Sequence, residues 1–321
     1  MTVPTTRFHL RRMIGATIAA VAVMVTSCSS AEDTGADTGG PAPAGDGTFP
    51  VTVGSGDRAV TVDAQPDAIV SLAPTTTEML FAVGAGDQVV AVDDRSNYPP
   101  QAPVTDLSGY TPNVEAILGY EPDLVLATDD NGDVVAGLAQ AGVPTLLLPA
   151  PATLDDIYTQ IEQVGAATGH LGDAVELAAT MRGDIDQILA TVPERDQPLS
   201  YYHELDDTFY SITDDTFLGY LYGLAGFRSI ATGADAYPQL SAEYILESDP
   251  DVIFLADSQC CGVTPETVAA RAGWGELTAV RDGRIHVLDE DIASRWGPRV
   301  VDLLRDLAAT AAAVPAVHPT P

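Results

Sequence analysis

Two segments 128 positions apart in this chain carry the same pattern. The first is Asn113-Val-Glu115-Ala-Ile117-Leu118-Gly-Tyr-Glu121-Pro122-Asp123-Leu-Val-Leu-Ala127. The second is Ser241-Ala-Glu243-Tyr-Ile245-Leu246-Glu-Ser-Asp249-Pro250-Asp251-Val-Ile-Phe-Leu255. Each opens on a residue suited to cap a helix and places a Glu two positions later, where it complements the helix dipole. Each then passes through an Ile-Leu pair to an acid-Pro-Asp triplet and ends in an apolar run that reads as a buried strand. A helix and a buried strand made twice predict two similar lobes. Such a molecule holds something between its halves or is itself held by a two-fold partner.

The rest of the chain fits this plan. Short apolar runs alternate with helix-period segments. Strands are expected at 69–72, 89–92, 124–127, 145–148, 200–204, 209–212, 252–256 and 285–288. Helices are expected at 76–83, 114–118, 134–141, 154–168, 217–224, 242–246, 265–271 and 298–312. Thr75 with Glu78 has the spacing of a capping box. Pro265 and Pro298 suit first helical positions. Several strands are apolar on both faces, as parallel strands covered by helices are. The fold class is therefore α/β, with two Rossmann-like lobes on parallel sheets. Between them, 172–192 reads as one amphipathic helix of about 30 Å, the single bridge of a stiff clamp. The expected domains are an N-terminal lobe at 51–170, the bridge at 171–193 and a C-terminal lobe at 194–313. Ligand would lie between the lobes, at loops following the strands' carboxyl ends.

The ends are not part of the lobes. Arg7, Arg11 and Arg12 precede an apolar stretch too short to span a bilayer, so 1–27 reads as a signal peptide. Val25-Thr26-Ser27-Cys28 has the form of a lipobox, with lipid carried on Cys28, and the expected location is the outer face of the cell membrane. Residues 28–50 read as a flexible tether and 314–321 as a polar tail. The chain has 14 basic and 46 acidic residues and a formal charge of −32. A polyanion of this kind does not bind nucleic acid through phosphate contacts. Cys260 and Cys261 are left as an adjacent pair, either a vicinal disulfide or two thiols. No G-x-S-x-G, H-E-x-x-H or P-loop is present, and no enzyme is expected.

The chain resembles the periplasmic binding proteins of the iron-siderophore and vitamin B12 type, the receptors of ABC importers. The residues that carry the resemblance are Ile69-Val-Ser-Leu-Ala-Pro74-Thr-Thr-Thr-Glu78-Met-Leu-Phe-Ala-Val-Gly84, Asn97-Tyr98-Pro99-Pro100-Gln101-Ala102, the two repeated segments, and Gly297-Pro298-Arg299. The Asn97 motif is closest to the B12-binding members. The resemblance covers about 55 to 310. It implies two lobes joined by a backbone helix (a class III periplasmic binding protein), capture of cobalamin or a related corrinoid, and delivery to a permease dimer with ATPase subunits. A ferric siderophore or haem is the alternative within the class. An exported sensory or adhesion module without a permease is the alternative outside it. The resemblance also implies that Glu115 and Glu243 salt-bridge arginines on the permease. Where B12-binding relatives carry a Trp before the first glutamate helix, this chain has Ser108-Gly109-Tyr110.

The candidate ligand-binding residues are Arg95, Tyr98, Tyr110, Glu204, Asp206, Tyr237, Arg295 and Trp296. Aromatic faces with a few polar groups suit a large, partly apolar ligand. An arginine facing it would favour carboxylate or carbonyl oxygens. His203 beside a strand could reach a ligand's metal, although a lone histidine there is ordinarily structural. His170, His203 and His286 are too scattered for a dedicated metal receptor, so no metal site and no cofactor are expected, while the ligand itself can carry cobalt or iron. A monomer is expected.

Overall fold

The structure is a computed structural model that describes residues 48–315. Cys28, the signal segment, nearly all of the tether and 316–321 lie outside the described residues. The N-terminal lobe contains β1 (Val51–Val53), β2 (Val60–Val62), β3 (Ile69–Ser71), α1 (Pro74–Ala82), β4 (Val89–Val92), α2 (Val114–Leu118), β5 (Leu124–Ala127), α3 (Val134–Gln140), β6 (Thr145–Leu147) and α4 (Leu154–Thr168). The long helix α5 (Leu171–Leu189) follows. The C-terminal lobe contains β7 (Leu199–Glu204), α6 (Phe217–Leu224), β8 (Phe227–Ser229), α7 (Ala242–Ser248), β9 (Val252–Leu255), α8 (Ser258–Cys261), α9 (Pro265–Ala269), α10 (Thr278–Arg281), β10 (Ile285–Val287), α11 (Glu290–Ala293) and α12 (Val300–Ala313).

Each lobe has a four-stranded parallel sheet, ordered β4-β3-β5-β6 in one and β8-β7-β9-β10 in the other. Numbered within its own sheet, each order is 2-1-3-4. The internal repeat is therefore a repeat of topology as well as of sequence.

The repeated triplets show why the sequence folds this way. Glu121 and Asp249 both take positive φ, 51° and 40°, which turns the chain out of α2 and α7. The Asp after each Pro then grips the first strand of its sheet. Asp123 accepts from Asp67 N and Ala68 N at 3.0 Å each, at the start of β3. Asp251 accepts from Ser200 N and Ser200 Oγ at 2.8 Å each, on β7. The registers follow, Ile69 opposite Leu124 and Tyr201 opposite Val252.

Strand alternation sends side chains to two layers. Ile69, Leu124 and Leu126 pack toward α1 and α4, whereas Val70 and Val125 pack toward Ile117 and Leu138 on α2 and α3. In the other lobe Tyr201, Val252 and Phe254 face one way, and Tyr202, Ile253 and Leu255 face Trp274. The layer containing Ile69 and the layer containing Tyr201 belong to one continuous core, carried between the lobes by α5 and α12. On α5 the buried stripe is Ala174, Ala178, Met181 and Ile185, and Val175 is left 49% exposed. Helices α4 and α5 meet so closely that a Cβ on Gly165 would lie 2.3 Å from that of Ala174. A shared core of this kind resists lobe motion more than a hinge of crossing strands would.

Several local expectations are corrected. Residues 209–212 do not form a strand. Phe209 has φ 71°, and the turn before it is organised by the Asp206 carboxylate, which accepts from Thr208 N and Oγ1 at 2.9 and 2.6 Å. The edge strand is β8 instead. The hairpin β1–β2 was not anticipated; its three-residue strands carry little periodic signal. Thr75 and Glu78 are not a capping box, because α1 starts one residue before Thr75 with Pro74 at its first turn and Ala73 as N-cap. Pro298 lies outside α12, whose N-cap is Arg299. Val314 and Pro315, expected in a loose tail, are held. Val314 is buried, and the Arg195 guanidinium donates to the carbonyls of Ala311, Val314 and Pro315, at the end of α12 where backbone carbonyls run out of helical partners.

Candidate functional site

A cleft of about 880 Å³ opens between the lobes. Its walls come from loops that leave the carboxyl ends of all eight main strands, among them Ala73–Thr75 after β3, Asp94–Arg95 after β4, Leu205 after β7 and Glu290 after β10. Sheets with this strand order place a crevice at that end. The C-terminal wall is largely apolar, with Ile212, Phe217, Leu218, Leu221, Trp296 and Leu303. The N-terminal wall is mainly polar, with Thr75, Asp94, Arg95, Asn97 and Thr128.

Four of the eight residues expected to bind ligand stand in these walls: Arg95, Tyr237, Arg295 and Trp296. Arg95 is exposed, and its guanidinium makes no ion pair or hydrogen bond with any described residue. Tyr237 is 54% exposed, and the Trp296 indole N–H has no acceptor among the described residues. Arg295 is different. Its side chain is 7% exposed and lies 2.9 Å from Glu78 Oε1 and 2.6 Å from Asp291 Oδ1, while also donating to the Arg95 carbonyl. Arg299 donates to the same Glu78 through Nε at 3.0 Å and through its terminal nitrogen at 2.5 Å.

The other four stand elsewhere. Tyr98 lies outside the wall with the Arg299 guanidinium 4.2 Å above its ring. Tyr110 is 86% exposed and free of the cleft. Asp206 is used by its turn. Glu204 is fully buried and binds Arg271 through two bonds of 2.6 Å. That guanidinium sits 4.7 Å from the Trp274 ring and 5.5 Å from the Phe209 ring. Strand parity alone could not tell which face of β7 met the ligand. Asp257, also fully buried, neighbours this pair. Burial first, and then the Glu204 charge, push its carboxyl up to about 7.

His203 is wholly buried at the floor of the apolar wall. Its Nδ1 lies 3.0 Å from the Tyr222 hydroxyl, and burial holds its pKa down to about 3, so the ring is neutral. Apart from Trp296, the apolar wall was the part that sequence reasoning missed. Its one available signal was α6, Phe217-Leu-Gly-Tyr-Leu-Tyr-Gly-Leu224, which is apolar all round and has no face suited to water.

Cys260 and Cys261 form a vicinal disulfide on α8. The Glu290 carboxylate, itself in the cleft wall, accepts from the backbone N–H groups of Gln259 and Cys260.

Glu115 and Glu243 are exposed in the first turns of α2 and α7. The helices are capped alike, Asn113 Oδ1 accepting from Ala116 N and Ser241 Oγ from Tyr244 N, each at 3.1 Å. Neither glutamate carboxylate has an ion-pair partner among the described residues.

This architecture matches known proteins. Residues 69–292 match the family model described as periplasmic binding protein. The "Uncharacterized ABC transporter substrate-binding lipoprotein YvrC" of Bacillus subtilis (strain 168) is 31% identical over 270 residues, which are 81% of this chain and 85% of that protein. A "Cobalamin-binding protein" of Halobacterium salinarum is 31% identical over 274 residues, covering 81% of this chain and 74% of that protein. Among solved structures, the periplasmic vitamin B12-binding protein BtuF of Vibrio cholerae superposes with a TM-score of 0.67 at 28% identity, over 77% of this chain and 97% of that one. The periplasmic heme-binding protein RhuT from Roseiflexus sp. RS-1 does so with a TM-score of 0.68 at 26% identity, over 77% and 98%. Matched lobes of one topology, a cleft at their strands' carboxyl ends and a family match across both lobes have one meaning: this chain belongs to the periplasmic binding protein family.

Proposed function

We propose that the protein is the extracytoplasmic receptor of an ABC importer, anchored through lipid on Cys28, and that it captures cobalamin or a related corrinoid. The observation that carries the ligand reading is the division of the cleft. One wall is largely apolar and aromatic, and the other offers hydroxyls, an amide, the Asp94 carboxylate and a single unpaired guanidinium. A corrin ring has a broad apolar face and a rim of neutral amides, which such walls complement. The cobalamin-binding relative from Halobacterium salinarum supports the same choice. The neutral His203 ring contributes to the floor without bringing charge to it.

A second reading rests on Arg95. A guanidinium with no partner in so acidic a chain would suit a carboxylate-bearing ligand, such as haem or a ferric chelate. Delivery would use Glu115 and Glu243, whose matched placement on the two lobes suits a permease made of two like subunits.

Calorimetry of the purified chain against cyanocobalamin, cobinamide, haem and ferric siderophores tests the choice. Heat from a corrinoid at micromolar concentrations or below is expected. Silence from every corrinoid, with heat from an iron chelate, would replace the first reading by the second.

A further inference from the structure

We propose that Glu78 is a specificity-determining residue. It fastens the lobes at the seam and withholds two arginines from the ligand; the choice of ligands in the test rests on the transport reading above. Glu78 lies on α1 in the N-terminal lobe and is 3% exposed. Arg295 and Arg299 come from the C-terminal lobe, 217 and 221 positions away. The carboxylate accepts three bonds from them, from Arg295 at 2.9 Å and from Arg299 at 3.0 and 2.5 Å. Gly297 lies between the arginines, and a Cβ there would sit 3.1 Å from Glu78 Oε2, so the approach depends on that glycine. The seam is closed further by Asn97 Nδ2 donating to Asp291 Oδ2 at 2.7 Å, and by Arg295 donating to the Arg95 carbonyl; Asp291 also accepts from Arg295 within its own lobe.

The group contains two carboxylates and two guanidinium ions and is electrically neutral. Its members Asn97, Asp291 and Arg295 are also cleft wall. Without Glu78, Arg295 and Arg299 would present surplus positive charge beside the ligand. With it, Arg95 is the one unpaired cation in the wall. The same carboxylate therefore does two things. It fixes the distance between the lobes through buried, charge-assisted bonds, and it keeps the cleft poor in positive charge. A cleft of this kind favours a neutral amphipathic ligand over a multiply anionic one.

The test uses the full chain and three variants: Glu78→Gln, Glu78→Gln with Arg299→Gln, and Arg299→Gln alone. Small-angle scattering of the ligand-free proteins reads lobe opening. Calorimetry with cyanocobalamin and with a trianionic ferric tris-catecholate reads charge preference. In Glu78→Gln the catecholate-to-cobalamin affinity ratio should rise about tenfold, the scale of one unit charge across a half-solvated cleft, and the radius of gyration should increase. The double variant removes both a negative and a positive charge. Its affinity ratio should return to the wild-type value while the lobes stay open. Arg299→Gln keeps the Arg295 bridge and serves as the folded comparison if Glu78→Gln does not fold; its ratio should fall. Equal changes for both ligands in every variant would overturn the selecting role. An unchanged radius of gyration in Glu78→Gln would overturn the fastening role. If the wild type binds neither probe, the ligand reading fails, and the scattering result still decides whether Glu78 fastens the lobes.

Discussion

Asp123 and Asp251 hold the first strands of their sheets alike, each carboxylate accepting two bonds at the strand's start, from Asp67 N and Ala68 N in one lobe and from Ser200 N and Oγ in the other. They are the third members of the repeated acid-Pro-Asp triplets. The Pro stops the helix, the acid before it takes positive φ, and the Asp fixes the register of the strand that follows. Each lobe is built around this local device.

Replacing either Asp by Ala leaves strand-edge donors without an acceptor. A loss of about 0.5–1.5 kcal/mol is expected at Asp123, whose donors are exposed, and about 1–3 kcal/mol at the part-buried Asp251 site, and the two losses should add because the sites lie in different lobes. Urea midpoints of the single and double variants check this. A wild-type midpoint for Asp251→Ala would remove the register role.

Glu204 and Arg271 form a buried pair that cannot be halved cheaply. Arg271→Met leaves Glu204 without its counter-ion and should cost about 3–5 kcal/mol. Arg271→Met combined with Glu204→Gln should recover part of that loss. Thermal unfolding of the two proteins decides the matter, and a double variant less stable than the single one would contradict it.

Asp257 makes stability depend on pH. Burial and the Glu204 charge raise its carboxyl from the ordinary 3.8 to about 7, so the fold holds a proton that the unfolded chain releases. The stability that this protonated form contributes is complete below 3.8 and is lost as pH rises through about 7. Asp257→Asn copies the protonated form. Its melting temperature should exceed that of the wild type at pH 8, with the gain shrinking toward pH 4. A gain independent of pH would assign the effect to packing instead.

Trp296 and Tyr237 stand in the cleft wall, whereas Tyr110 stands outside it. Trp296→Ala and Tyr237→Ala should each weaken corrinoid binding by about tenfold or more, the loss of an aromatic contact. Tyr110→Ala should leave the affinity within about twofold on the same grounds of area. Equilibrium titration is sufficient. A larger loss from Tyr110 than from Trp296 would mean that the loop carrying Tyr110 folds over the ligand.

The paired charge reversal Glu115→Arg with Glu243→Arg should abolish uptake into cells while binding in solution stays at the wild-type level. Both carboxylates are exposed and lack ion-pair partners within the described chain, so the fold does not depend on them. Uptake that survives the reversal would separate these residues from docking.

The sequence by itself determined what is local. Helix caps at Asn113 and Ser241 are hydrogen bonds between residues three apart, and they form as the spacing predicts. The apolar runs of β5 and β9 are buried on both faces, as their composition requires. From such units follow the two lobes, their parallel sheets and the location of the cleft. The tertiary structure alone decided which polar groups meet. Glu78 looks like half of a capping box because Thr75 is three residues away, yet its partners are more than 200 residues distant. Arg295 looks free for a ligand until Glu78 and Asp291 are seen to hold it, and Glu204 looks like a cleft residue until Arg271 comes from beyond α9 to claim it. Propensity and capping act through a few covalent bonds and leave a periodic trace in the chain. A buried ion pair depends on two segments arriving at one place, and spacing along the sequence carries no record of that.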